Sequence, residues 1–187
     1  MSISNAKQNC SCSSGNSEKR RILIEYLFLD LNTCDRCIGT DSVLEKAIEG
    51  IRPALELAGY TIDYQKIEVS TEQLAKQHCF LSSPIIRVNG HDICKTVSES
   101  NCGCCGEIAG TNIDCRVFEY DGRTYEIPTE EMLADMILQS VYNKSACECS
   151  EYILPENLKR FYDGRNHKNH SSCSCGCNGA EGSNCNG

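Results

Sequence analysis

The chain has 187 residues, 16 of them Cys, and a formal net charge of −8. That acidity argues against a nucleic-acid partner held through phosphate contacts, and no apolar run reaches the roughly 18 residues needed to cross a bilayer. Small molecules, metals and other proteins remain as partners.

Residues 1–20 are polar, contain Cys10-Ser11-Cys12 and read as a disordered tail. No basic segment leading into an apolar one opens the chain, which predicts a cytoplasmic protein with mostly reduced thiols. There, clustered cysteines serve as metal ligands or redox groups more often than as bridges. A domain is expected over 21–143. It begins with a strand from Arg21 to Asp30, whose Ile22, Leu23, Ile24, Leu27, Phe28 and Leu29 suit burial on both faces. Thr33 is a plausible N-cap for a helix with Val43, Leu44, Ala47, Ile48, Ile51, Leu55 and Ala58 at helical spacing and Gly59 as its stop. Pro53 should kink or interrupt it. Tyr60 to Val69 alternates as a second strand, and Thr71 to Phe80 reads as a short helix. Cys79 and Cys94 read as small core residues rather than ligands. Pro84 opens a third strand, Asp121-Gly122 turns a hairpin between Arg116–Tyr120 and Arg123–Ile127, and Pro128 opens a last helix carrying Met132, Leu133, Met136, Ile137 and Val141. The order β-α-β-α-β-β-α predicts an α/β sandwich with a mixed sheet.

Cys34-Asp35-Arg36-Cys37 directly follows the first strand. At a helix start, free N–H groups and a partial positive charge stabilise a thiolate, and two Cys at i and i+3 reach one another. The same spacing also makes half of a zinc or iron–sulfur knuckle. Asp35 and Arg36 pull the thiolate equilibrium in opposite directions. A cysteine-rich insertion spans 91–115 and contains Asn101-Cys102-Gly103-Cys104-Cys105-Gly106. Its spacings gather the sulfurs of Cys102, Cys104 and Cys105, with Cys115 as a further ligand, for a soft ion such as Hg(II), As(III), Cd(II), Cu(I) or Zn(II). Disulfides or solvent-facing thiols are the alternative. Residues 144–187 form a cysteine-rich extension with Cys147-Glu148-Cys149, then Cys173, Cys175, Cys177 and Cys185. His167 and His170 precede the last tract, and Tyr152 to Gly164 has helical apolar spacing that predicts a docked helix. The apolar content of the extension predicts that the domain folds without it.

The Cys-x-x-Cys after a strand, answered by Ser83-Pro84 at a later strand, resembles the thioredoxin superfamily over Arg21 to about Asn143. The resemblance implies that Cys34 is the exposed nucleophilic thiol, Cys37 the resolving thiol, and Pro84 the cis-proline facing them. In that topology the insertion leaves the sheet at the end opposite the Cys-x-x-Cys, so it must fold back if the two are to cooperate. The core also resembles a bacterial family of small cysteine-rich thioredoxin-like proteins of no established function, on Cys-x-x-Cys, Ser-Pro and Asn-Cys-Gly-Cys-Cys-Gly-Glu. The Cys-x-Cys tails resemble metallothionein segments. The expected function is capture of a soft metal, metalloid or organometal, with thiol exchange at Cys34 and Cys37 and tails that deliver or buffer the ion. The alternatives are a dithiol-disulfide oxidoreductase with a small thiol substrate or redox partner protein, and a non-enzymatic metal store.

Overall fold

Strand β1 (Arg20–Phe28) lies at the centre of the molecule because its apolar residues alternate onto a buried face and then become continuous: Ile22, Ile24, Tyr26, Leu27 and Phe28 are buried. The computed structural model describes residues 20–94, 96–143 and 151–171. Helix α1 (Asp35–Leu57) turns Leu44, Ala47, Ile48, Ile51 and Leu55 inward. It continues through Pro53, which does not interrupt it. Pro53 and Glu49, whose carbonyl loses its donor, are both exposed, so the freed group is not buried without a partner. Gly59, at φ +82°, ends the helix.

Strand β2 (Tyr60–Glu68) then pairs parallel with β1. Thr71 caps the short helix α2 (Glu72–Gln77), its hydroxyl accepting from Leu74 N at 3.2 Å. Strands β3 (Ile85–Val88) and β4 (His91–Asp92) complete a four-stranded sheet of order β2-β1-β3-β4, with β3 antiparallel to both neighbours.

Past β4 the chain departs from the single mixed sheet that the sequence predicts. Strand β5 (Ser98–Asn101), helix α3 (Gly103–Ala109), β6 (Asp114–Tyr120) and β7 (Arg123–Tyr125) build a second sheet of order β5-β6-β7. The hairpin turns at Asp121 and Gly122 with φ of 49° and 73°, positive at both positions as an Asp-Gly turn of this kind requires. It joins β5 because β5 occupies the edge of β6, with Ser100 opposite Cys115. Two contacts fasten this sheet to the first: Arg116 N donates to Ser83 O at 2.7 Å, and the buried Arg116 guanidinium pairs with Asp92 at 2.7 Å.

Helix α4 (Glu130–Tyr142) starts at the Thr129 cap and packs on α1. A fifth helix, α5 (Glu156–Ser171), lies against α3 and α2, burying Leu158, Phe161 and Tyr162. Among the described residues no helix is long and apolar enough to cross a membrane.

Candidate metal centre

Two helices start at a cysteine, and the fold brings their first turns together. Cys34 is the N-cap of α1 and Cys102 the N-cap of α3, both with extended backbone. Residues at i and i+3 share a helix face, so Cys102 and Cys105 form a second Cys-x-x-Cys pair facing that of Cys34 and Cys37. The Cys34 sulfur lies 3.9 Å from that of Cys102 and 3.7 Å from that of Cys105. These three sulfurs lie within 4.8 Å of one another. A fourth, Cys115 on β6, is 3.3 Å from Cys105. The insertion therefore does fold back onto the start of α1.

The enclosure is nearly complete. Cys34, Cys105 and Cys115 are 0% exposed, and Cys102 is 5% exposed. Cys34 is thus not the exposed thiol that the thioredoxin resemblance implies, because α3 covers it. Cys37 is equally buried, with its sulfur 3.5 Å from the Ser83 hydroxyl. The Ser83–Pro84 peptide bond is cis, and Ser83 Oγ accepts from Leu29 N at 3.1 Å, which seats this segment beside the first pair. Cys104 turns the other way: half-buried, it places its sulfur 3.8 Å from Asp35 Oδ2. The Cys-x-Cys spacing groups Cys104 with its neighbours only if the segment is a loop; on a helix it leaves their face. Cys79 is exposed and so is not the core residue the sequence suggests, whereas half-buried Cys94 packs against the core. Cys173, Cys175 and Cys177 lie outside the described residues, as do the N-terminal cysteines.

Arg36, inside the first Cys-x-x-Cys, holds the two halves together. Only 6% exposed, it donates from Nη1 to Cys115 O at 2.9 Å and from Nη2 to Ser100 Oγ at 3.2 Å and Glu126 Oε1 at 2.7 Å. The sequence presents Arg36 as a charge beside a thiol. Its role as a clamp depends on β5, a strand too polar to be recognised.

The sulfurs share ionisation unequally. Hydrogen bonds from Cys102, then Cys105 and Cys115, hold Cys34 far below the usual thiol range, so Cys34 carries the thiolate. The start of α1 favours the same charge. Cys102 is lowered to about 7, chiefly by Cys105. Cys105 and Cys115 are both pushed up, chiefly by Cys102 as the competing partner. Cys37 is pushed up by Cys34 and then by burial.

A zinc–sulfur bond of about 2.3 Å places the sulfurs of a tetrahedral site about 3.8 Å apart. The 3.7 and 3.9 Å separations already have that scale. An all-thiol donor set suits soft ions, and Cys34, Cys102 and Cys105 would hold one with Cys115 adjacent.

Fold and site together define a mixed α/β protein with a buried thiol cluster. Residues 22–137 match the family described as a domain of unknown function, DUF2703, and the chain belongs to that family. No curated protein and no solved structure matches it.

Proposed function

We propose that this protein captures a soft metal or metalloid ion in a buried thiolate centre made by Cys34, Cys102 and Cys105. The single observation that carries the reading is the convergence of these sulfurs, 3.7 and 3.9 Å from Cys34, from two helix starts far apart in sequence. The ion is cargo: the centre would sequester Hg(II), As(III), Cd(II), Cu(I) or Zn(II), a detoxifying role suited to a cytoplasm in which thiols stay reduced. The test is anaerobic purification followed by elemental mass spectrometry and thiol titration, for the full chain and its Cys34→Ser and Cys105→Ser variants. A stoichiometric ion lost in both variants supports the centre. Retention of the full complement in both would reject it.

A second reading is thiol exchange at Cys34 and Cys37. The parallel β1-α1-β2 unit, the antiparallel β3-β4 pair and a Cys-x-x-Cys at the start of α1 support a thioredoxin-like ancestry, and the depressed Cys34 thiol is the form that attacks disulfides. Burial of both sulfurs restricts this chemistry to small substrates or requires α3 to move aside.

A further inference from the structure

An ion reaches a buried centre either because the cover moves or because a passage stands open, and the contacts at both ends of α3 favour the second. At its start, Cys102 N donates to Ile113 O at 2.8 Å and Arg36 Nη2 donates to Asn101 O at 3.4 Å. At its end, Lys168 on α5 donates to Glu107 O, and Gly164 lies so close to the Ala109 carbonyl that a Cβ there would collide with it. The helix that covers Cys34 is thus tied down on both sides. Beside it lies a cleft of about 370 Å³ lined by Cys102, Gly103, Gly106, Glu107 and Thr111. Cys102 is 5% exposed, whereas Cys34, Cys105 and Cys115 are 0% exposed, so Cys102 alone of these four meets solvent. Gly103, the next residue, is exposed, and a Cβ on it would meet nothing within 4 Å. The cleft wall is therefore open where a larger residue would stand.

We infer that this cleft is the port through which a soft ion enters the centre, with Cys102 as its first ligand and Gly103 keeping the passage open. The inference rests on the buried centre proposed above. The cleft has the size of a small-molecule site, so the port takes the ion as a complex with low-molecular-weight thiols.

Entry is ligand exchange with no change of oxidation state. The Cys102 thiolate forms a bond to the ion, one bond between the ion and a small thiolate breaks, and the released thiolate leaves through the cleft and takes up a proton from water. Cys34 and Cys105 displace further small thiolates in turn, and a sulfur that starts protonated passes its proton to the thiolate it displaces.

The test uses the full chain and its Gly103→Leu variant, which sets a side chain in the open space of the cleft and puts a better helix former at that position. In the first arm no metal is added, and peptide mapping follows alkylation of each cysteine by iodoacetamide and by the bulkier N-phenylmaleimide. Cys102 should react before Cys34, Cys105 and Cys115. Gly103→Leu should slow the reaction of Cys102 with the maleimide by about tenfold, equivalent to about 1.4 kcal/mol on the barrier, slow that with iodoacetamide less, and leave the exposed Cys79 unchanged. In the second arm both proteins are offered Cd(II) in excess 2-mercaptoethanol, and desalted aliquots are alkylated over time. Protection of Cys105 should reach the same final level in both, about tenfold more slowly in the variant. Earlier reaction of Cys34, Cys105 or Cys115, equal rates in the two proteins, or loss of final protection in the variant alone would overturn the port while leaving the centre standing. Absence of protection in both proteins would overturn the centre itself, and the port with it.

Discussion

Arg36 Nη1 donates to the main-chain carbonyl of Cys115 at 2.9 Å. The first turn of α1, which carries Cys34, is thereby fixed to the strand that carries the fourth sulfur. Because the same guanidinium also reaches Ser100 and Glu126, one side chain sets the spacing between both halves of the thiol cluster.

Arg36→Gln should therefore destabilise the protein by about 2–3 kcal/mol, since it removes charge-assisted hydrogen bonds from buried carbonyls, and should weaken Cd(II) binding at the same time. Glu126→Gln should cost less than about 1 kcal/mol, because Glu126 is 67% exposed and its ion pair is screened. Urea unfolding and Cd(II) titration of both variants check the contrast. Equal losses would mean that the ion pair, rather than the carbonyl contacts, holds the halves together.

Substitution within the sequence run Cys102–Cys105 should divide sharply. Cys105→Ser should reduce affinity for a soft ion by at least about 100-fold, whereas Cys104→Ser, whose sulfur faces Asp35, should leave it nearly unchanged. Competition titrations against a chromophoric chelator measure both. Equal losses would place Cys104 in the centre.

Proton release on ion binding should depend on pH with a definite sign. Cys34 is already ionised, Cys105 is protonated, and Cys102 titrates at about 7. Binding by these three sulfurs should release about one proton above pH 7, from Cys105, and about two below it, when Cys102 also starts protonated. Calorimetry in buffers of different ionisation enthalpy counts them. A release that is constant between pH 6 and 8.5, or that rises with pH, would contradict this distribution of charge.

Helix α5 should be needed for stability, against the sequence expectation that everything past Asn143 is dispensable. Phe161 is 0% exposed, Tyr162 OH donates to Val69 O at 2.9 Å, and Gly164 sits so close to the Ala109 carbonyl that any Cβ would collide with it. Phe161→Ala should cost about 3–5 kcal/mol, and Gly164→Ala should force α5 away from α3. Thermal unfolding of these variants, beside truncations after Asn143 and after Ser171, checks the claim. Only the shorter truncation leaves the transition unchanged if α5 belongs to the core.

Where local pattern and burial coincide, the sequence is readable. The apolar run of β1, the helical spacing of α1 and the Asp121-Gly122 turn each appear where their residues place them. The site is harder to read because its parts are defined by tertiary contact. Ser98–Asn101 has no apolar alternation, yet it forms a strand by pairing with β6. Without that strand Arg36 has no visible purpose, and Cys115 has no reason to approach Cys105. The Cys102–Cys105 segment resembles a metal-binding loop because Gly flanks it, and recognising it as a helix start would have separated Cys104 from the other two.

The most direct test of the central claim is X-ray absorption of Cd(II) bound to the full chain with all eight cysteines outside the described residues changed to Ser. One equivalent of ion in an all-sulfur shell, lost in both Cys34→Ser and Cys105→Ser derivatives, is the predicted result. Failure to hold the ion, or an unchanged shell after either substitution, would contradict a centre built from the two facing helix starts.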